Sequence, residues 1–162
     1  MEPIRIVEKP GFAVLGKEGA GKSEGSLAWI APLWKEATEH FAEIAPLCLR
    51  DRTGRFTGFW GAMDDMARTF HPWRDGEGRY LAGCEAPADA PVPAGWSRWS
   101  FPACRYAVIQ CTMRTYGEAM QKVLREYFPR NGFLLVGPIQ ESYGPGNETG
   151  DLELYFPFER IG

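Results

Sequence analysis

The residues best suited to chemistry in this chain are carboxylates set among aromatic rings on extended segments. The segment Asp151-Leu152-Glu153-Leu154-Tyr155-Phe156-Pro157-Phe158 alternates. Leu152, Leu154, Phe156 and Phe158 share one face, and Glu153, Tyr155 and Pro157 the other. The all-apolar face should meet the helices, which sends Glu153 and Tyr155 together to the opposite face. Tyr80-Leu81-Ala82-Gly83-Cys84-Glu85 ends an earlier segment in a similar way. Phe59-Trp60-Gly61 sets large rings beside a small residue, which suits a pocket wall. Trp34 falls in a helical stretch, and Trp96 and Trp99 follow a proline-rich connector. A carboxylate in an aromatic cage suits a cationic or flat apolar ligand, through charge pairing and cation–π contact. A solvated sheet face for Glu153, and plain core packing for any one Trp, would use the same residues.

A second candidate is Gly16-Lys17-Glu18-Gly19-Ala20-Gly21-Lys22-Ser23, which fits G-x-x-x-x-G-K-[ST] letter for letter, with a strand expected before it and a helix after. A phosphate loop also needs a parallel sheet and an Mg²⁺-binding Asp at the end of an apolar strand. Here the later apolar strands end in Gln-Cys-Thr, Pro-Ile-Gln-Glu and Pro-Phe-Glu-Arg. Only two long helices are visible, too few for crossovers on both faces of a parallel sheet. The Gly16–Ser23 stretch is therefore expected to be a connecting loop that binds no nucleotide. Cys48, Cys84, Cys104 and Cys111 have no CxxC spacing, and His40 and His71 are the only histidines. No Ser-His-Asp or Cys-His set emerges, no metal site is expected, and the cysteines read as reduced, partly buried thiols. No cofactor is expected.

Charge and length set the frame for these residues. The 162 residues suffice for one ordinary domain, and 18 Lys+Arg against 21 Asp+Glu give a net charge of −3. No basic excess exists to neutralise phosphates, so direct nucleic-acid binding is not expected. The start, Met1-Glu2-Pro3-Ile4-Arg5-Ile6, lacks the apolar stretch of a secretory signal, and no run is long enough to span a membrane. A cytoplasmic protein is expected. Ile4–Leu15 reads as a strand. From Ser26, the residues Leu27, Ile30, Leu33/Trp34, Ala37, Phe41 and Ile44 read as a helix closed by Pro46. Phe56–Met63 and Tyr80–Glu85 read as strands, and Ala86–Gly95 as a connector. The pattern then repeats. Phe101–Cys111 is a strand, and Thr115 with Glu118 is a capping box for a helix ending at Asn131-Gly132. Phe133–Ser142 and Asp151–Phe158 follow as strands. Phe12-Ala13-Val14-Leu15 and Tyr106-Ala107-Val108-Ile109 match in sequence, each before its helix. The expectation is an α+β fold of two βαββ halves, about 1–88 and 96–162. They should form one antiparallel sheet, with both long helices on one side and a ligand cleft between the halves.

With these pieces in view, the chain resembles the GyrI-like (AraC effector-binding) small-molecule-binding domains. The resemblance rests on Leu33-Trp34, Phe59-Trp60-Gly61-Ala62-Met63-Asp64, Tyr80-Leu81-Ala82-Gly83-Cys84-Glu85, Pro93-Ala94-Gly95-Trp96, Pro102-Ala103-Cys104-Arg105-Tyr106-Ala107-Val108 and Glu153-Leu154-Tyr155-Phe156-Pro157-Phe158. Their order covers nearly the whole chain, as a single stand-alone domain. The resemblance implies a duplicated βαββ fold and an acidic residue in an aromatic cleft, which Glu153 matches best. The expected ligand-binding set is Trp34, Phe59, Trp60, Tyr80, Glu85, Trp96, Glu153 and Tyr155. In transcription regulators such a domain follows a DNA-binding helix-turn-helix, and 162 residues leave no room for one. A separate regulator protein is then the partner that the resemblance leaves open. Two functions fit the cage. One is a module that binds a small aromatic or cationic compound. The other resembles hydrolases of cyclopropane-bearing toxic compounds, with Glu153 as general base and Tyr155 or Tyr80 as the aromatic hydroxyl.

Overall fold

The computed structural model describes residues 3–71, 73, 76–144 and 151–162. Eight strands form one antiparallel sheet: β1 (Arg5–Lys9), β2 (Phe12–Lys22), β3 (Phe59–Asp64), β4 (Glu77–Ala86), β5 (Ser97–Phe101), β6 (Cys104–Cys111), β7 (Ile139–Ser142) and β8 (Leu152–Arg160). Their order across the sheet is β1-β6-β8-β7-β3-β4-β2-β5. Exchanging β1–β4 with β5–β8 in chain order reproduces this sequence reversed. The sheet thus has an approximate two-fold axis between β3 and β7, as a duplicated βαββ chain requires.

Each half lends its first strand to the other. β1 pairs with β6, and β5 pairs with β2. The expected continuous strand Ile4–Leu15 is broken at Pro10-Gly11, and Phe101–Cys111 is broken at Pro102-Ala103. A proline has no N–H to give a ladder, and the chain bends where it stands. Lys9 pairs with Cys104 and Phe12 pairs with Phe101, so the register does not change across the bend. Yet β1 and β2 lie near opposite ends of the sheet. Three residues of chain reach at most about 11 Å, so the two ends must meet and the sheet must curl. The ion pair between Lys9 on β1 and Glu85 on β4, at 3.0 Å, shows the same. On a flat sheet five strand spacings would hold them about 24 Å apart.

Curling divides the side chains into two sets. Phe12, Val14, Trp60, Ala62, Leu81, Trp99, Phe101, Tyr106 and Val108 fill the inner face. The outer face carries both helices. The first, α1, spans Leu27–Glu39. The second begins as α2, Tyr116–Gln121, passes through a π-helical stretch, Lys122–Tyr127, and closes as α3, Phe128–Asn131. Ala119, Val123 and Phe128 bury against Ile109, Leu152, Leu154 and Phe156, and Ile30, Leu33 and Trp34 join the same apolar cluster. Both helices therefore lie on one side, as the apolar alternation of Leu152–Phe158 requires.

Four local expectations need correction. α1 ends at Glu39, and Phe41–Glu43 and Ala45–Leu47 continue as separate 3₁₀ turns rather than as one helix to Ile44. Phe133–Ser142 contributes a strand only from Ile139. Thr115 makes no capping bond to α2, because its hydroxyl is engaged by Thr112. Most of the Gly16–Ser23 stretch is strand, not loop. β2 runs to Lys22 and pairs with β4 from Ala13↔Ala86 to Lys22↔Glu77. The glycines serve packing there. A Cβ on Gly16 would fall onto the Ala82 carbonyl, and one on Gly21 would stand 2.6 Å from Trp29 Nε1. Lys17 donates to the Gly95 carbonyl at 2.7 Å and lies over the Trp96 ring. An extended backbone tied to a neighbouring strand cannot wrap a phosphate. Among the described residues, no helix is long and apolar enough to cross a membrane. Gly16→Ala is expected to destabilise the fold by about 1–3 kcal/mol through overpacking, read by chemical denaturation. Mg²⁺-ATP is expected to leave the melting temperature of the wild-type protein unchanged.

Candidate functional site

Between the two helices, over the sheet's central strands, lies a cavity of about 840 Å³. Both halves build it. α1 supplies Leu27, Ile30, Ala31 and Trp34; the second helix and its approach supply Met113, Tyr116, Gly117 and Met120. The floor is sheet: Met63 from β3, Tyr80 from β4 and Glu141 from β7, with Tyr143 just beyond β7. The walls are apolar and aromatic, and one charged group stands among them.

That group is Glu141, 5% exposed. Three phenols converge on its carboxylate. Tyr80 donates to Oε1 at 2.5 Å and Tyr143 to the same oxygen at 2.7 Å, while Tyr116 donates to Oε2. Trp34 Nε1 in turn donates to the Tyr80 oxygen at 3.0 Å, so α1 is tied to the same network. The Trp34 ring meets Tyr143 edge-on, with centroids 5.3 Å apart. Burial raises the pKa of Tyr80, Tyr116 and Tyr143 well above the phenol range, and the Glu141 charge beside them adds to it. All three remain O–H donors at neutral pH. Among the described residues, no Lys, Arg or His forms an ion pair with Glu141. The site therefore offers a buried, hydrogen-bonded anion without a counter-cation.

Gly61 makes room for it. Gly61 lies opposite Glu141 in the β3–β7 register. A Cβ there would stand 2.5 Å from Glu141 Oε1 and would overlap the Tyr80 hydroxyl. The carboxylate thus sits at the molecular two-fold axis because the facing strand has no side chain at that point.

Of the residues singled out in the sequence, Trp34 and Tyr80 line this cavity. The others do not. Trp60, Glu85, Glu153 and Tyr155 alternate to the inner face of the curl, away from both helices. There Glu85 accepts from Trp60 Nε1 at 2.9 Å and from the Thr57 hydroxyl, and pairs with Lys9. Tyr155 packs edge-on against Trp60 and Tyr106. Glu153 pairs with Arg5 at 2.5 Å near the surface. Phe59 faces the helix side but packs against Phe41 and Phe56. Trp96 donates to Glu43 and lies under Lys17. The alternation of β8 is as expected; what differs is the side on which the cavity lies. It opens on the helix face, so Glu153 and Tyr155 stand outside it and do not supply a base and a hydroxyl to it.

Glu141, Tyr116 and Tyr143 are missing from the sequence-based set. A signal for Glu141 exists. In Pro138-Ile139-Gln140-Glu141 the apolar Ile139 must face the helices, and Glu141, two residues on, must share that face. A lone carboxylate in the apolar register of a central strand marks a site. Among the described residues, no group of three or more His, Cys, Asp or Glu is arranged to hold a metal ion.

Known proteins place this geometry in a family. The model of the integron-associated effector-binding protein family, Cass2, matches residues 5–158. The transcriptional regulator BrlR of Pseudomonas aeruginosa is 26% identical over 170 residues, which cover 94% of this chain and 54% of BrlR. The chain thus spans about half the length of that curated relative. Among solved structures, SAV2435 bound to tetraphenylphosphonium is similar, with a TM-score of 0.64 and 16% identity over 97% of this chain and 94% of that one. An integron cassette protein of Vibrio cholerae is similar too, with a TM-score of 0.61 and 14% identity over 96% of this chain and 95% of that one. At such identities these structures show the common fold. The match along nearly the whole chain, on a duplicated sheet with two helices on one face, identifies the chain as a member of the integron-associated effector-binding family, with the GyrI-like fold.

Proposed function

We propose that this protein binds lipophilic, aromatic cations in the cavity between its helices, with Glu141 as the charge that receives them. The observation that carries this reading is the buried Glu141 carboxylate, held by three phenols and, among the described residues, neutralised by no protein cation. A guest cation supplies the missing counter-charge. Trp34, Tyr80 and Tyr143 add aromatic rings, whose faces attract a cation. The apolar walls reward the removal of its aromatic surface from water. A cavity of about 840 Å³ accommodates a drug-sized molecule. The tetraphenylphosphonium bound by the structural relative SAV2435 belongs to this chemical class. A transcriptional regulator is a fitting recipient of the signal, since a region similar to this chain forms about half of the transcriptional regulator BrlR.

The test is calorimetric titration with tetraphenylphosphonium. Glu141→Gln keeps the shape, and its amide can still accept from Tyr80 and Tyr143 while donating to the Tyr116 oxygen. It removes only the charge. It is expected to weaken binding at least about tenfold, which is about 1.4 kcal/mol, without lowering the melting temperature. Glu153→Gln, which breaks only an exposed ion pair, is expected to leave binding unchanged and to alter stability by less than about 1 kcal/mol. Unchanged affinity in Glu141→Gln would defeat the reading. Gly61→Ala, which pushes a methyl group against the Tyr80 hydroxyl and Glu141, is expected to lower both affinity and stability, the latter by about 1–3 kcal/mol. The same titration and a denaturation curve measure the two effects.

A further inference from the structure

A second cavity, of about 360 Å³, lies on the other face of the sheet, at the open end of the curl. β7 separates it from the first, since Glu141 points one way and its neighbour Gln140 the other. Two buried polar groups line this cavity without partners. Tyr106 is fully buried, and its hydroxyl makes no hydrogen bond. Gln140 is 1% exposed; its Nε2 donates to the Pro138 carbonyl at 3.3 Å, which orients the amide, and its Oε1 has no partner. The phenol and the amide are neighbours, but the geometry between them makes no hydrogen bond.

Buried polar atoms are rarely left unmade, because each orphan forfeits the hydrogen bond it had to water. Two in one cavity define a guest. A guest hydroxyl satisfies both, donating to Gln140 Oε1 and accepting from Tyr106. The rest of the lining extends the description. Phe101, Trp99 and Phe70 are aromatic walls for a ring. At the mouth stands the exposed Arg160. Arg160 forms no ion pair among the described residues. Asp64 is the one carboxylate on the wall, and its Oδ1 is occupied by the backbone N–H groups of Asp65 and Phe70. We propose that this cavity is a second ligand site, for a small phenolic carboxylate. Its hydroxyl is held by Gln140 and Tyr106 at the bottom, its ring lies between the aromatic walls, and its carboxylate meets Arg160 at the mouth. Such a guest has the opposite charge to the one proposed for the first cavity, and its site does not depend on Glu141.

The probe is 4-hydroxybenzoate, titrated into the full chain by calorimetry and by ligand-observed NMR. Saturable binding is expected, with Tyr106→Phe and Gln140→Leu each weakening it at least about fivefold through loss of a hydrogen bond. Arg160→Ala, at an exposed position that leaves the core intact, is expected to weaken it as well. Benzoate, which lacks the hydroxyl, and 4-hydroxybenzamide, which lacks the charge, should both bind more weakly. Glu141→Gln and saturating tetraphenylphosphonium should leave 4-hydroxybenzoate affinity unchanged, which separates this site from the first. Without ligand, Tyr106→Phe is expected to melt no lower than wild type, because the hydroxyl it removes has no partner. The proposal is overturned if no saturable binding occurs up to about 10 mM, the range for a guest of this size, which would leave solvent as the only occupant. It is also overturned if Tyr106→Phe and Arg160→Ala bind as wild type, or if tetraphenylphosphonium displaces the probe.

Discussion

Three phenolic O–H groups donating to one buried carboxylate form the interaction around which this molecule is arranged. An ionised group taken out of water costs several kcal/mol unless its surroundings replace the lost hydration. Tyr80, Tyr116 and Tyr143 replace the hydrogen bonds but not the opposite charge. A second buried carboxylate in the same sheet shows the contrast. Glu85 has Trp60 and Thr57 as donors and also Lys9 at 3.0 Å. Glu85 is complete and helps to close the curl. Glu141 has no such cation among the described residues, and it faces a cavity. The difference between the two separates a structural ion pair from the group proposed to receive a guest.

The fold supplies what that arrangement needs. The donors come from three separate places: Tyr80 from β4, Tyr116 from the second helix, and Tyr143 from the chain just after β7. They meet because the two halves join along β3 and β7, which puts Gly61 opposite Glu141. The lent strands β1 and β5 fasten the halves at the far ends, through bends at Pro10-Gly11 and Pro102-Ala103. Curling then packs the inner face with its own aromatic residues and leaves the outer face to the helices. The floor of the first cavity is therefore held by a closed sheet. Its walls belong to two helices that touch the floor through apolar contacts and through the Trp34–Tyr80 and Tyr116–Glu141 hydrogen bonds.

Much of this plan is legible in the residues. The repeat of strand, helix, strand, strand gives the duplicated α+β architecture, and the Leu152–Phe158 alternation gives the helix side of β8 correctly. Trp34 and Tyr80 belong to the aromatic set read from the sequence, and both line the cavity. What the residues do not show is pairing between distant strands. Nothing local says that β1 leaves its own half to join β6, or that the cavity opens on the helix face. With the face reversed, Glu153, Tyr155, Trp60 and Glu85 become the natural cage, and Glu141 disappears into a short apolar run. The Gly16–Ser23 stretch misleads for a related reason. Glycines read locally as a loop are demanded here by non-local neighbours, the Ala82 backbone and the Trp29 ring.

If an uncompensated carboxylate decides what enters the first cavity, then guest charge must matter when guest shape does not. Tetraphenylphosphonium and tetraphenylborate have nearly the same shape and apolar surface and opposite charge. Titrating both into the unmodified protein by calorimetry isolates the electrostatic contribution. The phosphonium is expected to bind at least about tenfold more tightly. Equal affinity, or tighter binding of the borate, would contradict the role given to Glu141.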